Sequence, residues 1–281
     1  MKYLAQSDTS ILEALTQLAP QSSKNTLRSW LKEGRVQIDG VLIKTPNFPV
    51  LKGQLVTVVQ RKKFIGQGIE ILYEDNDLVF INKPSGLLSV STAFEKGETA
   101  HALLKAYYRP RKVFVIHRLD QDTSGVMIFA FNQETCDRLK DLFEVHHIQR
   151  SYTAIVEGQF LSPKGTWKSY LYEDEQYVVH ETEDPSFGRL AITHYRTLAA
   201  LKRYSLLELT LETGRKNQIR VHCQSAGHPV VGDKKYGAQT NPLKRLCLHA
   251  HLLAFRHPIS KKELKIESPI PEEFYRLIPK N

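Results

Sequence analysis

The stretch His117-Arg118-Leu119-Asp120-Gln121-Asp122-Thr123-Ser124-Gly125 lies between two apolar runs, Val113-Phe114-Val115-Ile116 and Val126-Met127-Ile128-Phe129-Ala130. Short runs rich in β-branched and aromatic residues read as buried strands, so the polar cluster is expected on a turn between two of them. Two readings fit an acid at Asp120, two residues past Arg118. It is a carboxylate aimed into a cleft with a cation beside it, or part of an Asp and Ser/Thr turn that caps itself with side-chain hydrogen bonds.

Outward from this stretch, strand patterns dominate the rest of the chain. Ile69-Glu70-Ile71-Leu72-Tyr73 and Leu78-Val79-Phe80-Ile81 flank an Asp-Asn-Asp turn, and further runs cover 152–156, 192–198, 206–211 and 248–255. Helical spacing marks a segment capped by Thr99 with Leu103, Leu104 and Tyr107. A second runs from Asn132 to Phe143 with Cys136, Leu139, Leu142 and Phe143 facing inward. Few helices among many closely spaced strands predict an α+β fold: a mixed, largely antiparallel sheet with flanking helices.

The first sixty residues form a unit of their own. Ser10 with Glu13 fits a capping box, and Ile11, Leu12, Leu15 and Leu18 follow at helical spacing until Pro20. A second helix is expected from Ser22 or Ser23 to Gly34, burying Leu27, Trp30 and Leu31, with Lys24, Arg28 and Lys32 as a basic ridge on another face. Arg35 to Ile43 then reads as a hairpin closed by Asp39-Gly40. The expected division is a small α/β domain over 1–60, a linker over 61–68 built of Arg61, Lys62, Lys63 and spaced glycines, and a large domain over 69–281.

At 281 residues the chain is long enough for this division. It holds no apolar run of membrane-spanning length and no signal-peptide core at its start, so a cytoplasmic protein without membrane contact is expected. Cys136, Cys223 and Cys247 are odd in number and scattered, which points to buried thiols. His249-x-His251 has no companion ligands and Gly66-x-Gly68 lacks the rest of a dinucleotide fingerprint, so neither a metal nor a cofactor is expected. No coiled-coil seam is visible, and a monomer is expected. Net charge is +9, and residues 1–63 carry ten Lys or Arg against four Asp or Glu, which is +6 of that excess. A cationic ridge concentrated in one quarter of a chain suits a polyanion such as RNA.

Several segments together resemble the RluA-type RNA pseudouridine synthases. The Asp120 stretch resembles the central motif of that family, and Ile81-Asn82-Lys83-Pro84-Ser85-Gly86-Leu87-Leu88 its first. Arg150-Ser151-Tyr152-Thr153-Ala154 resembles the segment with the family's tyrosine, and Leu211 to His222, with Gly214, Arg215 and Ile219-Arg220, a third motif. Gly227 to Asp233, Tyr236-Gly237 and Leu248-His249-Ala250-His251 follow in family order, so the resemblance covers about 69–275. It implies isomerisation of uridine in structured RNA, ribosomal RNA of the large subunit before transfer RNA, without a cofactor.

The resemblance also implies roles. Asp120 is the reacting carboxylate, held ionised by Arg220, which is expected on a strand over 214–221. Tyr152 stacks on the base, Ile219 walls the pocket, Arg118 takes the place left by the everted nucleotide, and Lys83 is expected among the RNA-binding residues. Residues 1–60 resemble the small RNA-binding domain named after ribosomal protein S-four, with Lys24, Arg28, Lys32 and Arg35 as its RNA contacts. The chain departs from the family at Lys216-Asn217, where Thr-His is usual, and at Leu88 to Thr92, where many relatives have His-Pro. A non-catalytic RNA clamp would have no use for a buried carboxylate. A hydrolase would need a nucleophile elbow or paired carboxylates, and the sequence has neither.

Overall fold

The computed structural model describes residues 1–59, 63–91 and 97–279. The chain divides into two compact units, 1–62 and 63–281. In the first, β1 (Lys2–Leu4), β2 (Thr9–Ser10), α1 (Ile11–Leu18), α2 (Lys24–Lys32), β3 (Val36–Ile38), β4 (Val41–Ile43), β5 (Pro49–Val50) and β6 (Leu55–Val58) follow in order. Strands β1-β6-β3-β4 form one antiparallel sheet and β2-β5 a second, short one. Ser10 and Glu13 close the capping box, and Ser23 caps α2. Ile11, Leu15, Leu27, Leu31 and Val36 fill the core, and Gly34 adopts the positive φ that ends α2.

The second unit runs β7 (Lys63–Ile65), β8 (Ile69–Glu74), β9 (Leu78–Lys83), α3 (Ala100–Tyr107), β10 (Phe114–Val115), β11 (Ser124–Ala130) and α4 (Gln133–Glu144). It continues through β12 (Gln149–Glu157), β13 (Lys164–Glu173), β14 (Val179–Thr182), β15 (Arg189–Ala200), β16 (Tyr204–Leu211), α5 (Gln218–Ser225), β17 (Leu248–Arg256) and β18 (Glu263–Glu267). These strands make one twelve-stranded sheet in the order β14-β13-β15-β16-β12-β17-β11-β9-β8-β7, with β10 on β11 and β18 on β17.

Its ladders are antiparallel except at the centre, where β11 runs parallel to β17 and pairs Ser124 with His249 and Gly125 with Ala250. That joint needs glycine: Gly125 has φ 119°, and a Cβ there would lie 2.1 Å from the Ala250 carbonyl oxygen. Every residue of β11 is buried. Met127 and Phe129 face a core shared with α3, while Val126 and Ile128 face another shared with Leu139 of α4. A third core joins α5 to β12 and β16 through Ile219 and Cys223. The three cysteines are buried free thiols.

Two expectations need correction here. The linker ends sooner than its composition suggests, because Lys63–Ile65 pairs with β8 and Gly66–Gly68 forms a 3-10 turn. Arg61 and Lys62 lie outside the described residues, as does Thr92 at the end of the departing first motif. The strand expected over 214–221 is instead a loop followed by α5, so Arg220 is helical. No helix among the described residues is long and apolar enough to cross a membrane.

Candidate active site

The Asp120 turn is held from below by the turn that follows β9. Ser89 Oγ donates to the Leu119 carbonyl and accepts from the Leu119 N–H. Gly86 N–H and Ser85 Oγ donate to the carbonyls of Gln121 and Asp122. Lys83 sits at the bottom, fully buried, its ammonium donating to the carbonyls of Pro84, Leu87 and Gln121 at 3.0, 2.6 and 2.8 Å. Lys83 is therefore a brace under the loop and no RNA contact. Burial pushes its pKa down to about 7, against the fields of Asp122 and Asp120.

Above this turn a cavity of about 640 Å³ opens, and Arg118, Asp120, Tyr152, Ile219 and Arg220 all line it. Arg220 lies 100 residues from Asp120 in sequence, and its Nη1 is 3.4 Å from Asp120 Oδ2. The Asp120 side chain keeps 35% of its surface exposed, while that of Arg220 keeps 15%.

The stronger partner of Arg220 is one the sequence reading missed. Asp233, buried, accepts a fork from Nε and Nη2 at 2.6 and 2.7 Å, and Asn217 Oδ1 accepts from Nη1 at 3.1 Å. Burial opposes the charge on Arg220, yet Asp233 and then Asp120 outweigh it and raise its pKa. Asn217 holds a left-handed backbone (φ 54°) and donates to the Tyr236 hydroxyl, so the departure from the family pattern supports Arg220 from behind. Only the occurrence of Asp233 within a motif pointed to it, since neither spacing nor polarity links it to Arg220.

Tyr152 comes from β12, in the middle of the sheet, with its ring packed against two of the cores. Burial pushes its hydroxyl up to about 12; Arg150 opposes that and Asp120 adds to it. The phenol is thus neutral at physiological pH, a donor rather than a base. Ile219 is 4% exposed on α5, and Arg118 is exposed at the rim. In the first unit Lys24, Arg28 and Lys32 are exposed on α2. Arg35 departs from that ridge: it lies over the Trp30 ring, and its Nε donates to the Val59 carbonyl. Trp30 itself is core.

One group of potential metal ligands occurs among the described residues, Asp75, Asp77 and His257, within 4.8 Å of one another. His257 Nδ1 accepts from the N–H groups of Ile259 and Ser260, so Nε2 carries the proton and faces Asp75 at 3.3 Å. That is a donor beside a carboxylate, not a lone pair offered to an ion.

Comparison with known proteins gives the family of the chain. Residues 77–225 match the RNA pseudouridylate synthase family. A Bacillus subtilis protein described as an uncharacterized RNA pseudouridine synthase, YhcT, is 34% identical over 95% of this chain and 91% of its own. Ribosomal large subunit pseudouridine synthase D of Escherichia coli K12 is 32% identical over 95% of this chain and 88% of its own. Among solved structures, human RNA pseudouridylate synthase domain containing 4 superposes with a TM-score of 0.60 at 25% identity, covering 73% of this chain and 89% of that one. With the family pattern matched over half its length and such relatives along nearly all of it, the chain belongs to the RluA-type RNA pseudouridine synthases.

Proposed function

We propose that this enzyme converts a uridine of large-subunit ribosomal RNA to pseudouridine in the cavity around Asp120. Within an RNA helix neither the glycosidic bond nor carbon five of the base is reachable, so the nucleotide leaves the stack first. Arg118, exposed at the rim, is suited to fill the space it vacates. The base then lies against Tyr152 and Ile219. The bond from C1′ to N1 breaks, the base turns, and C1′ joins C5. The C5 proton departs and N1 gains one, so the product is an isomer and no oxidant or cofactor enters the balance.

Asp120 supplies the carboxylate this exchange requires, and the Arg220 clamp holds it aimed into the cavity. The observation that carries the reading is that pair: a half-open carboxylate held 3.4 Å from a guanidinium that a buried acid already fixes. The ribosomal target rests on the activity for which the 32%-identical relative is named. Residues 1–59, with their exposed cations on α2, add a sequence-independent grip on RNA phosphates of the kind an S-four-like domain provides.

The test maps pseudouridines in total RNA from cells with and without the protein, then restores wild type or Asp120→Asn. A site in large-subunit ribosomal RNA should vanish on deletion and return only with wild type. Full restoration by the Asn variant would remove Asp120 from the chemistry, and a lost site in transfer RNA would move the target.

A further inference from the structure

A second cation in the cavity has no acid to answer it. Arg150, on β12 two residues before Tyr152, lines the same cavity and is 7% exposed. Its Nη2 donates to the Glu212 carbonyl at 2.9 Å, and its guanidinium lies 5.7 Å from the Phe143 ring centre. Its Nε is buried without a partner. Among the described residues no carboxylate pairs with it. Of the other cavity cations, Arg220 is forked by Asp233 and Lys216 pairs with Glu173, while Arg118 and Arg215 are exposed to solvent.

A buried charge without a counterion is costly, and proteins keep one where a ligand completes it. Its field is felt nearby: burial and then Arg150 push the His117 imidazole down to about 3. Its seat is also specific. A Cβ on Gly214 would fall 2.5 Å from Arg150 Nη1, so the Gly214 of the third motif leaves room for that end of the guanidinium to approach the loop.

We propose that Arg150 binds a phosphodiester of the RNA substrate, the linkage flanking the nucleotide whose base is seated against Tyr152. Residues two apart on a strand project to one side, roughly 7 Å from each other, so base and backbone of one nucleotide are read by one strand. Guanidinium suits the task because it stays charged and offers paired donors to phosphate oxygens. Arg150 would thus fix the sugar while the base is free to turn, as a positioning residue. This inference rests on the reading of the cavity as the uridine site.

The experiment uses the full chain and a synthetic stem-loop carrying the mapped uridine, with methylphosphonate replacing one phosphodiester at a time around it. One neutral linkage beside the target should weaken wild-type binding on the order of tenfold, the scale of a hydrogen bond to a charged group. Arg150→Gln and Arg150→Met should bind the unmodified RNA about as weakly and be indifferent to that substitution. Their plot of log affinity against log salt should be shallower by about 0.7–0.9. A variant that merely packs poorly would lose thermal stability yet keep the linkage effect and the slope, and that result overturns the proposal. Should neither variant fold, the wild-type scan decides alone, since no sensitive linkage means no phosphate site. A wild-type enzyme that makes no pseudouridine takes the uridine reading down as well, whereas modification without a sensitive linkage removes only the role of Arg150.

Discussion

Asp120 depends on a chain of single side chains, each fixing the next. Its partner Arg220 is shared, with Nη1 turned to Asp120 and Asn217 while Nε and Nη2 are spent on Asp233. Because Asp233 is only 2% exposed, its removal leaves a largely buried guanidinium with one distant acid. Asp233→Ala should therefore destabilise the enzyme by about 3–5 kcal/mol, the scale for breaking a buried pair from one side. A urea titration at neutral pH measures it, and a loss below about 1 kcal/mol would show that Asp120 alone can compensate Arg220. Conversely, Asp120→Asn should leave the urea midpoint almost unchanged, because Asp120 is the exposed and more distant of the two acids. The sequence displayed Asp120 and Arg220 through their motifs but left Asp233 mute, since a contact across thirteen residues between a helix and a loop has no periodicity to betray it.

At the scale of elements, the ridge on α2 was legible because four-residue spacing on a capped helix fixes which side chains share a face. Its cations are exposed as expected, and their role in RNA binding has a direct measure. Replacing Lys24, Arg28 and Lys32 together by Gln should flatten the salt dependence of RNA affinity by about 2 to 3 in slope, with the melting temperature unchanged. An unaltered slope would make the ridge an ordinary solvated face. Helix α5 was illegible for a physical reason. Its first turn has no side-chain cap, its entry residue Asn217 is left-handed, and the β-branched Ile219 and Val221 alternate as in a strand. The helix forms because tertiary contacts override these local signals: Gln218 Oε1 accepts from the Thr213 hydroxyl and the Arg215 N–H, and Ile219 and Cys223 enter the core. Lys83 was misplaced similarly. A lysine before Pro-x-Gly reads as exposed, and only the convergence of three carbonyls from two loops makes its burial tolerable.

Over the whole synthase unit, the parallel joint of β11 and β17 is where two sets of antiparallel strands meet, and Asp120 lies just before it while Tyr152 and Arg220 come from beyond it. One buried histidine ties the two sets together and another ties strands within the second set. His249 Nδ1 accepts from Ser124 Oγ across the joint, and His222 links Thr193 and Ser169. Burial pushes His249 down to about 3 and His222 to about 4. Both are 2% exposed or less, so they are neutral in the folded state at any pH above those values. The sign follows from linkage: below the ordinary value of about 6.5 the unfolded chain takes up protons that the folded one refuses. Stability present above pH 6.5 is thus lost progressively as the pH falls toward 4 and then 3. At pH 4.5 each histidine should withdraw about 2–3 kcal/mol relative to pH 7. Urea midpoints at the two pH values measure the total, and His222→Gln, which keeps hydrogen-bonding capacity without a titrating ring, should reduce the difference by one histidine's share. If the variant lost as much on acidification as wild type, His222 would not be a source of the acid sensitivity. Because the joint carries the Asp120 turn on one strand and packs against Tyr152 on the other side, activity measured after brief acid exposure should fall with the same midpoint as the unfolding signal.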